Sequence, residues 1–155
     1  INFIDNKYNL GGNAMKYVGL LLTSIGMFLL IAVNFYYNSI TLDMQRIEDY
    51  VMETNLILED VAEKESYVSN EKEDYISRLM HVKKGIENSK TSFLIERYKE
   101  YKIKSIESLI YTISEEKKDY LDEVDRYNKL GEKEINKLIN KNFLEVTYLS
   151  ITTYI

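Results

Sequence analysis

The chain has 155 residues and a net charge of −5, a length that predicts one domain. This mild negative charge argues against nucleic-acid binding, which requires a basic face. The chain contains no cysteine, which excludes disulfides, thiolate chemistry and cysteine-based zinc sites and leaves the redox compartment open.

The composition is unusual for a helical protein. Ile, Asn, Lys and Tyr make up 61 of the 155 residues, whereas Ala, the best helix former, occurs three times. These four residue types have AT-rich codons, so the composition indicates the genome of an organelle, a low-GC bacterium or a parasite. Ile1 is compatible with a trimmed terminus, with a non-standard start codon, or with a start at Met15.

The first predicted element is a transmembrane helix at 17–38, which follows a short N-terminal segment at 1–16. No charged side chain occurs between Lys16 and Asp43, and a bilayer core of about 30 Å needs about 20 helical residues. A cleaved signal peptide is the alternative. Its apolar region is usually about 7–15 residues long and ends at small residues, which this segment does not provide. We therefore expect an uncleaved anchor.

Three residues of this segment are candidates for packing against another membrane helix. Gly19 and Gly26 would allow a close approach of two backbones. Asn34 fits either the headgroup level or a polar contact with a neighbouring helix. Two cations precede the segment and one follows it, which favours a cytoplasmic N-terminus.

Residues 39–142 are predicted to form a long, charged helical rod, because they contain no proline and their apolar positions follow a heptad spacing. This spacing occurs in two runs that do not share one register, so an unbroken two-stranded coiled coil is not expected. The predicted seam of the coiled coil consists of Ile47, Val51, Leu58, Val61, Val68, Leu79, Ile86, Ile103, Ile106, Ile110, Ile113 and Val124.

A bend or a hairpin is expected near Gly85, between the two runs. Gly costs about 1 kcal/mol relative to Ala inside a helix. Asn88, Ser89 and Ser92 follow it and are suitable N-cap residues for a new helix. If the chain turns back there, the two arms pack antiparallel; if it does not, the helix extends over roughly 150 Å.

The last segment, 143–155, has an apolar composition and one charge. Its periodicity fits either a helix or a strand. On a helix, four residues would form one stripe: Leu144, Tyr148, Ile151 and Ile155. We expect this tail to dock either on a partner or on the protein's own stalk, because an apolar segment on a polar rod needs a cover.

No residue pattern of an enzyme is present in the sequence. His81 is the only histidine, and neither a phosphate-binding glycine loop nor a calcium-binding loop occurs. We therefore expect a non-catalytic protein without a cofactor, a metal ion or a small-molecule substrate.

This layout resembles subunit b, the peripheral stalk, of F-type ATP synthases. A short N-terminal segment, one membrane helix and a long proline-free charged helix follow one another over the whole chain. The Asn-Leu-Gly-Gly motif at 9–12 is similar to a leader of some b subunits. The segment Ser-Ile-Thr-Leu-Asp-Met-Gln-Arg-Ile-Glu-Asp at 39–49 looks like the family's membrane-exit segment.

The resemblance implies a stator of a proton-translocating ATP synthase, whose membrane helix lies beside the proton-channel subunit and whose tail docks on the catalytic head. Its partners would be the lipid bilayer and the other subunits of a membrane complex. With the AT-rich composition, the mitochondrial inner membrane is favoured, and the bacterial plasma membrane is the alternative.

Two hypotheses of other classes remain beside the stator. The first is a single-pass coiled-coil scaffold or adaptor of a bacterial envelope complex, acting in division or secretion. The second is the sensor domain of a membrane receptor, in which the bend produces a helical bundle.

Overall fold

The computed structural model describes the backbone of residues 5–64 and 68–153 and the side chains of residues 15–64 and 68–152. Over these ranges the protein is all-helical, as the sequence predicts. The helices are α1 (Asp5–Glu63), α2 (Ser69–Asn88), α3 (Glu96–Glu115), α4 (Leu121–Ile139) and α5 (Phe143–Thr153), with short 3-10 turns at Phe93–Ile95 and Lys118–Tyr120.

The chain divides into two compact units. Ile1–Tyr36 and Asn142–Ile155 belong to the first, which we call the anchor unit, and Tyr37–Lys141 form the second, which we call the bundle unit. Helix α1 therefore contributes its first part to the anchor unit and its second part to the bundle unit.

In the anchor unit, most of the apolar surface of α1 is not covered by other described residues. Helix α1 carries the one helix segment, among the described residues, that is long and apolar enough to cross a membrane. Its most apolar 18-residue window has a mean hydropathy of 2.2, and only 6% of that window is buried inside the protein. The hydroxyls of Thr23 and Ser24 donate to the carbonyls of Gly19 and Leu20, each at 2.9 Å, so these polar groups are satisfied within the helix. These features support the predicted single membrane-spanning helix.

In the bundle unit, the second part of α1 and helices α2, α3 and α4 bury one apolar core. On α2, apolar residues three and four positions apart face inward, as expected for an amphipathic helix. The core consists of Ile57, Val61, Tyr75, Leu79, Val82, Ile86, Ile106, Leu109, Ile113 and Val124.

Polar contacts between neighbouring helices fix their directions. Glu53 on α1 binds Arg78 on α2, while Asp60 further along α1 accepts a hydrogen bond at 3.1 Å from the hydroxyl of Tyr75, which comes earlier on α2. These two helices are therefore antiparallel.

The same pattern holds for the next pairs of helices. Lys83 pairs with Glu107 at 2.6 Å and Lys72 with Glu116 at 3.0 Å, so α2 and α3 are antiparallel. Lys102 on α3 donates to Asn128 on α4 at 2.9 Å, and Ser108 lies 3.4 Å from Glu123, so α3 and α4 are antiparallel as well.

The structure does not confirm a coiled-coil rod over 39–142 or a bend at Gly85. Helix α1 ends at Glu63, and the following helices turn back on one another. The physical reason is that the apolar stripes of these helices cover each other within one chain. Gly85 lies inside α2, where a Cβ atom would clash with the ring of Tyr50 on α1, and the helix ends three residues later at Asn88.

A buried carboxylate holds the connection between α2 and α3. Asp43 on α1 is 2% exposed and accepts hydrogen bonds from the backbone N–H of Ser92 at 2.8 Å and from its hydroxyl. Arg46 donates to Asp43 at 3.0 Å and to the carbonyl of Lys90 at 2.7 Å. The Ser92 hydroxyl oxygen also accepts from the N–H of Leu94 at 3.3 Å, so Ser92 caps the following turn, a role for which its type is suited.

Candidate docking groove in the bundle unit

The predicted seam positions lie mostly inside the bundle unit. Ile47, Val61, Leu79, Ile86, Ile106, Ile113 and Val124 are buried. Val51, Leu58, Ile103 and Ile110 are partly buried. Val68 is 66% exposed. The heptad spacing therefore identified residues that pack against other helices of the same chain.

Two of the three predicted contact residues of the apolar part of α1, Gly19 and Gly26, have open space beside their backbones within the described chain. A Cβ atom built on Gly19 or Gly26 would meet no heavy atom within 4 Å. Asn34 is exposed. Contacts of these residues with another membrane helix stay a prediction.

The tail is helical from Phe143 to Thr153, which decides between the two periodicities that its sequence allows. The described residues of its predicted docking stripe are exposed to different degrees: Leu144 is 77%, Tyr148 68% and Ile151 39% exposed. Ile155 lies outside the described residues. The buried positions of this helix are Val146, Thr147 and Ser150, which sequence reasoning did not single out.

An apolar groove lies between α1 and α4 in the bundle unit, and we call it the α1–α4 groove. It has a volume of about 740 Å³. Helix α4 packs on α3 rather than on α1, so the seam between the first and the last helix of the bundle stays open. The main apolar lining residues are Ile40, Met44, Val51 and Met52 on α1 and Ile135 and Ile139 on α4.

The groove has a buried floor and an accessible rim. Ile47 is fully buried and Tyr98 is 6% exposed, whereas Met52 and Ile139 are 56% and 49% exposed. The polar lining residues are Gln45, Glu48 and Asn55, all exposed, together with Thr41, whose hydroxyl is bonded within its own helix. An apolar floor with a polar rim is the usual anatomy of a protein–protein contact.

The aromatic ring at the floor is held by close packing. A Cβ atom at Gly131 on α4 would lie 3.3 Å from Cδ2 of Tyr98, so the absence of a side chain there lets α4 approach α3. Burial, with a smaller contribution from the charge of Glu132, raises the pKa of Tyr98 to about 12. The hydroxyl is therefore neutral at physiological pH.

A buried lysine beside the floor fixes the register of α3 against α4. Lys102 is 7% exposed, and its Nζ lies 5.6 Å from the centre of the Tyr98 ring. It donates to Asn128 Oδ1, which also accepts from Ser105 at 3.1 Å. Burial lowers the pKa of Lys102, and the charge of Glu132 opposes this shift in part. A charged group bound at one position resists sliding of the two helices.

The groove was not found from the sequence, although one signal was present. Ile135 and Ile139 are four residues apart, as expected for one face of a helix. They follow Gly131 and lie beyond Val124, which is the last residue of the predicted seam.

No group of three or more His, Cys, Asp or Glu in the described part of the chain could hold a metal ion. His81 is exposed on α2, with its ring 6.5 Å from that of Tyr50.

Comparison with protein-family models, with curated proteins and with solved structures finds no match to this chain.

Proposed function

We propose that this protein is a non-catalytic, membrane-anchored docking subunit of a membrane complex. Helix α1 holds it in the bilayer, and the bundle unit binds an amphipathic helix of a partner protein in the α1–α4 groove. The observation that carries the proposal is the groove itself, an apolar concavity of about 740 Å³ that no side chain of the described residues fills.

The anchoring part is supported by the energetics of exposed apolar surface. Leu20, Leu22 and Leu30 are each more than 60% exposed, and they are part of a long series of such residues on α1. A side chain of this kind gains about 1.5–3 kcal/mol when it leaves water. A bilayer covers all sides of the helix at once, which an isolated partner surface would not do.

The shape of the groove supports a helix as its occupant. Its lining on α1 extends from Tyr37 to Asn55, which is roughly 27 Å along the helix axis. A helix placed along this line would present residues at i, i+3, i+4 and i+7 to the floor. Met44 and Met52 are flexible, polarisable side chains that can adapt to such an occupant.

Two narrower hypotheses differ in the partner. A stator in the mitochondrial inner membrane is supported by the layout around the membrane helix, but it needs a stalk of great length. In the described residues α2 and α3 have 20 residues each, or roughly 30 Å. These lengths argue against the long stalk of a stator, and the adaptor of an envelope complex at the bacterial plasma membrane then remains as the narrower hypothesis that needs no such stalk.

The test compares two methionines of similar exposure. Met52 lies in the groove and is 56% exposed; Met80 lies on α2, outside the groove, and is 61% exposed. Membranes that carry the wild-type protein, Met52→Lys or Met80→Lys are solubilised in mild detergent and run on a native gel. We expect wild type and Met80→Lys to migrate with a partner and Met52→Lys to migrate without it, at unchanged helical content.

Either of two results would contradict the proposal: wild-type protein that migrates alone, or equal behaviour of the two variants. The identity of the co-migrating proteins separates the narrower hypotheses. The α and β subunits of an ATPase would support the stator, and proteins of the cell envelope would support the adaptor.

A further inference from the structure

A second apolar helix packs on the membrane helix within the anchor unit. Ser150 on α5 is 4% exposed and Ala32 on α1 is 7% exposed. The Oγ atom of Ser150 lies 2.7 Å from the carbonyl oxygen of Ala32 and 2.8 Å from that of Val146, so the hydroxyl can donate to either one. Small residues of this kind allow the close approach that is common between helices in membranes.

The position of this contact along α1 decides which medium surrounds α5. Ala32 follows Lys16 by sixteen residues, or roughly 24 Å, and precedes Asp43 by eleven residues, or roughly 16 Å. The contact therefore lies well inside the uncharged stretch of α1. A helix that touches α1 at this level lies at the depth of the acyl chains if α1 spans a bilayer.

The side chains of α5 suit that medium. The hydroxyl of Thr147 donates to the carbonyl of Phe143 at 2.8 Å, and that of Thr152 donates to the carbonyl of Tyr148 at 3.1 Å. Hydroxyls satisfied inside their own helix need no water. The charge of Glu145 lies in the first turn, where the helix dipole favours an anion.

The two helices also leave an apolar cleft of about 370 Å³ between them. Its lining residues are Phe28, Ile31, Ala32, Phe35, Ser150 and Ile151. Its walls are almost entirely apolar side chains at the level of the Ser150 contact, so hydrocarbon fits it and water does not.

We propose that α5 is a second lipid-embedded helix, whose exposed stripe of Leu144, Tyr148 and Ile151 is covered by acyl chains. The inference rests on the proposed anchoring of α1 in a bilayer. Because α5 has 11 residues and a length of roughly 16 Å, it reaches through about half of a bilayer core. The tail then fixes the anchor unit in the membrane rather than docking on a soluble partner.

The natural absence of cysteine makes a clean accessibility experiment possible. Single cysteines are placed at Ile151 on α5, at Leu30 on the exposed apolar side of α1, and at Glu59 in the bundle unit. A polar maleimide is added to membrane fragments that are open on both sides. A thiol in hydrocarbon does not ionise, so we expect Ile151→Cys and Leu30→Cys to react at least about tenfold more slowly than Glu59→Cys. All three should react fully in denaturing detergent.

The two proposals fail in different ways in this experiment. Rapid labelling of Leu30→Cys would contradict the membrane anchor itself. Slow labelling of Leu30→Cys with rapid labelling of Ile151→Cys would leave the anchor intact and overturn the inference about α5.

A fluorescence measurement separates a cover of lipid from a cover of protein. The chain contains no tryptophan, so Tyr148→Trp provides a single tryptophan on α5 that can be excited selectively over the tyrosines, and Tyr111→Trp provides a control at an exposed position of the bundle unit. In nanodiscs with brominated acyl chains, we expect Tyr148→Trp to lose most of its emission and Tyr111→Trp to keep it. Unchanged emission of Tyr148→Trp would show that acyl chains do not reach the stripe and would overturn the inference.

Discussion

Replacing Gly85 with alanine tests the packing of α2 against α1. A Cβ atom at this position would lie 2.9 Å from Cδ1 of the Tyr50 ring and would clash with Cε1 and Cζ. Real Cβ atoms essentially never approach other heavy atoms to less than 3.0 Å, so the ring or the helix must move. The ring also has an edge contact with His81, which limits its freedom.

The expected magnitude follows from two opposing terms. Overpacking a close contact costs about 1–3 kcal/mol, and alanine gains about 1 kcal/mol over glycine inside a helix. We expect a net loss of about 1 kcal/mol in the free energy of unfolding. For a unit of about 100 residues this corresponds to a fall in the melting temperature of roughly 4–8 °C.

The assay is thermal unfolding of the detergent-solubilised full chain, followed by circular dichroism. Gly26→Ala is the matched control, because a Cβ atom there meets no heavy atom within 4 Å. In a Tyr50→Ala background the ring is absent, so Gly85→Ala should become neutral or stabilising, and the coupling between the two sites should be measurable. A rise in melting temperature for Gly85→Ala with Tyr50 in place would refute this packing, because it would show that the Cβ atom is accommodated without a clash.

Three further outcomes are expected. Asp43→Ala leaves the N–H of Ser92 without its acceptor, so it should destabilise the bundle unit by about 2–3 kcal/mol and accelerate hydrogen exchange at 89–95. Lys102→Met should stabilise the protein by about 1 kcal/mol in denaturant titrations. Because the folded-state pKa of Lys102 is lowered, the wild type should gain stability as the pH rises towards the ordinary lysine pKa of about 10.4, and the variant should lack this gain. The folded-state pKa of Tyr98 is raised to about 12, so stability should fall between pH 10 and 12, and Tyr98→Phe should remove that part of the fall.

The sequence was sufficient to predict the helical class and a helix that is long and apolar enough to cross a membrane. An uncharged apolar stretch of sufficient length has few alternatives, and the exposed apolar surface of α1 agrees with it. Asn88, Ser89 and Ser92 were all candidate caps, and the structure uses Ser92 to cap the 3-10 turn that precedes α3.

The bundle could not be told from a rod because the two have the same apolar pattern. Residues such as Leu79, Ile86 and Ile106 face either a second chain or a neighbouring helix of their own chain with equal ease. Only the turns distinguish the two, and these turns carry weak signals. After α3, Glu116 adopts the left-handed conformation, with φ 53°. Glycine is the usual residue in this conformation at a helix end, so the sequence lacks the signal that would have predicted the end of α3.

The buried face of the tail could not be predicted for a related reason. Apolar side chains cover most of α5, so hydrophobicity does not tell which face meets the protein. Leu144 and Tyr148 were chosen because they belong to one helical stripe, whereas the smaller Val146 and Ser150, on another face of the helix, are the buried positions. In a membrane, small residues rather than large ones mark the contact between helices.

The α1–α4 groove could not be predicted from the sequence. A groove between two helices depends on which helices pack together, and the local residue pattern does not contain this information.

Photocrosslinking in native membranes tests the central claim, that the groove docks a partner helix, most directly. A photoreactive amino acid replaces Ile139, which lines the groove and is 49% exposed, or Met80, which lies outside it. The account predicts one dominant protein adduct from position 139 that is absent from position 80 and that maps to an amphipathic helix of the partner. Identical products from both positions, or lipid adducts alone from position 139, would contradict it.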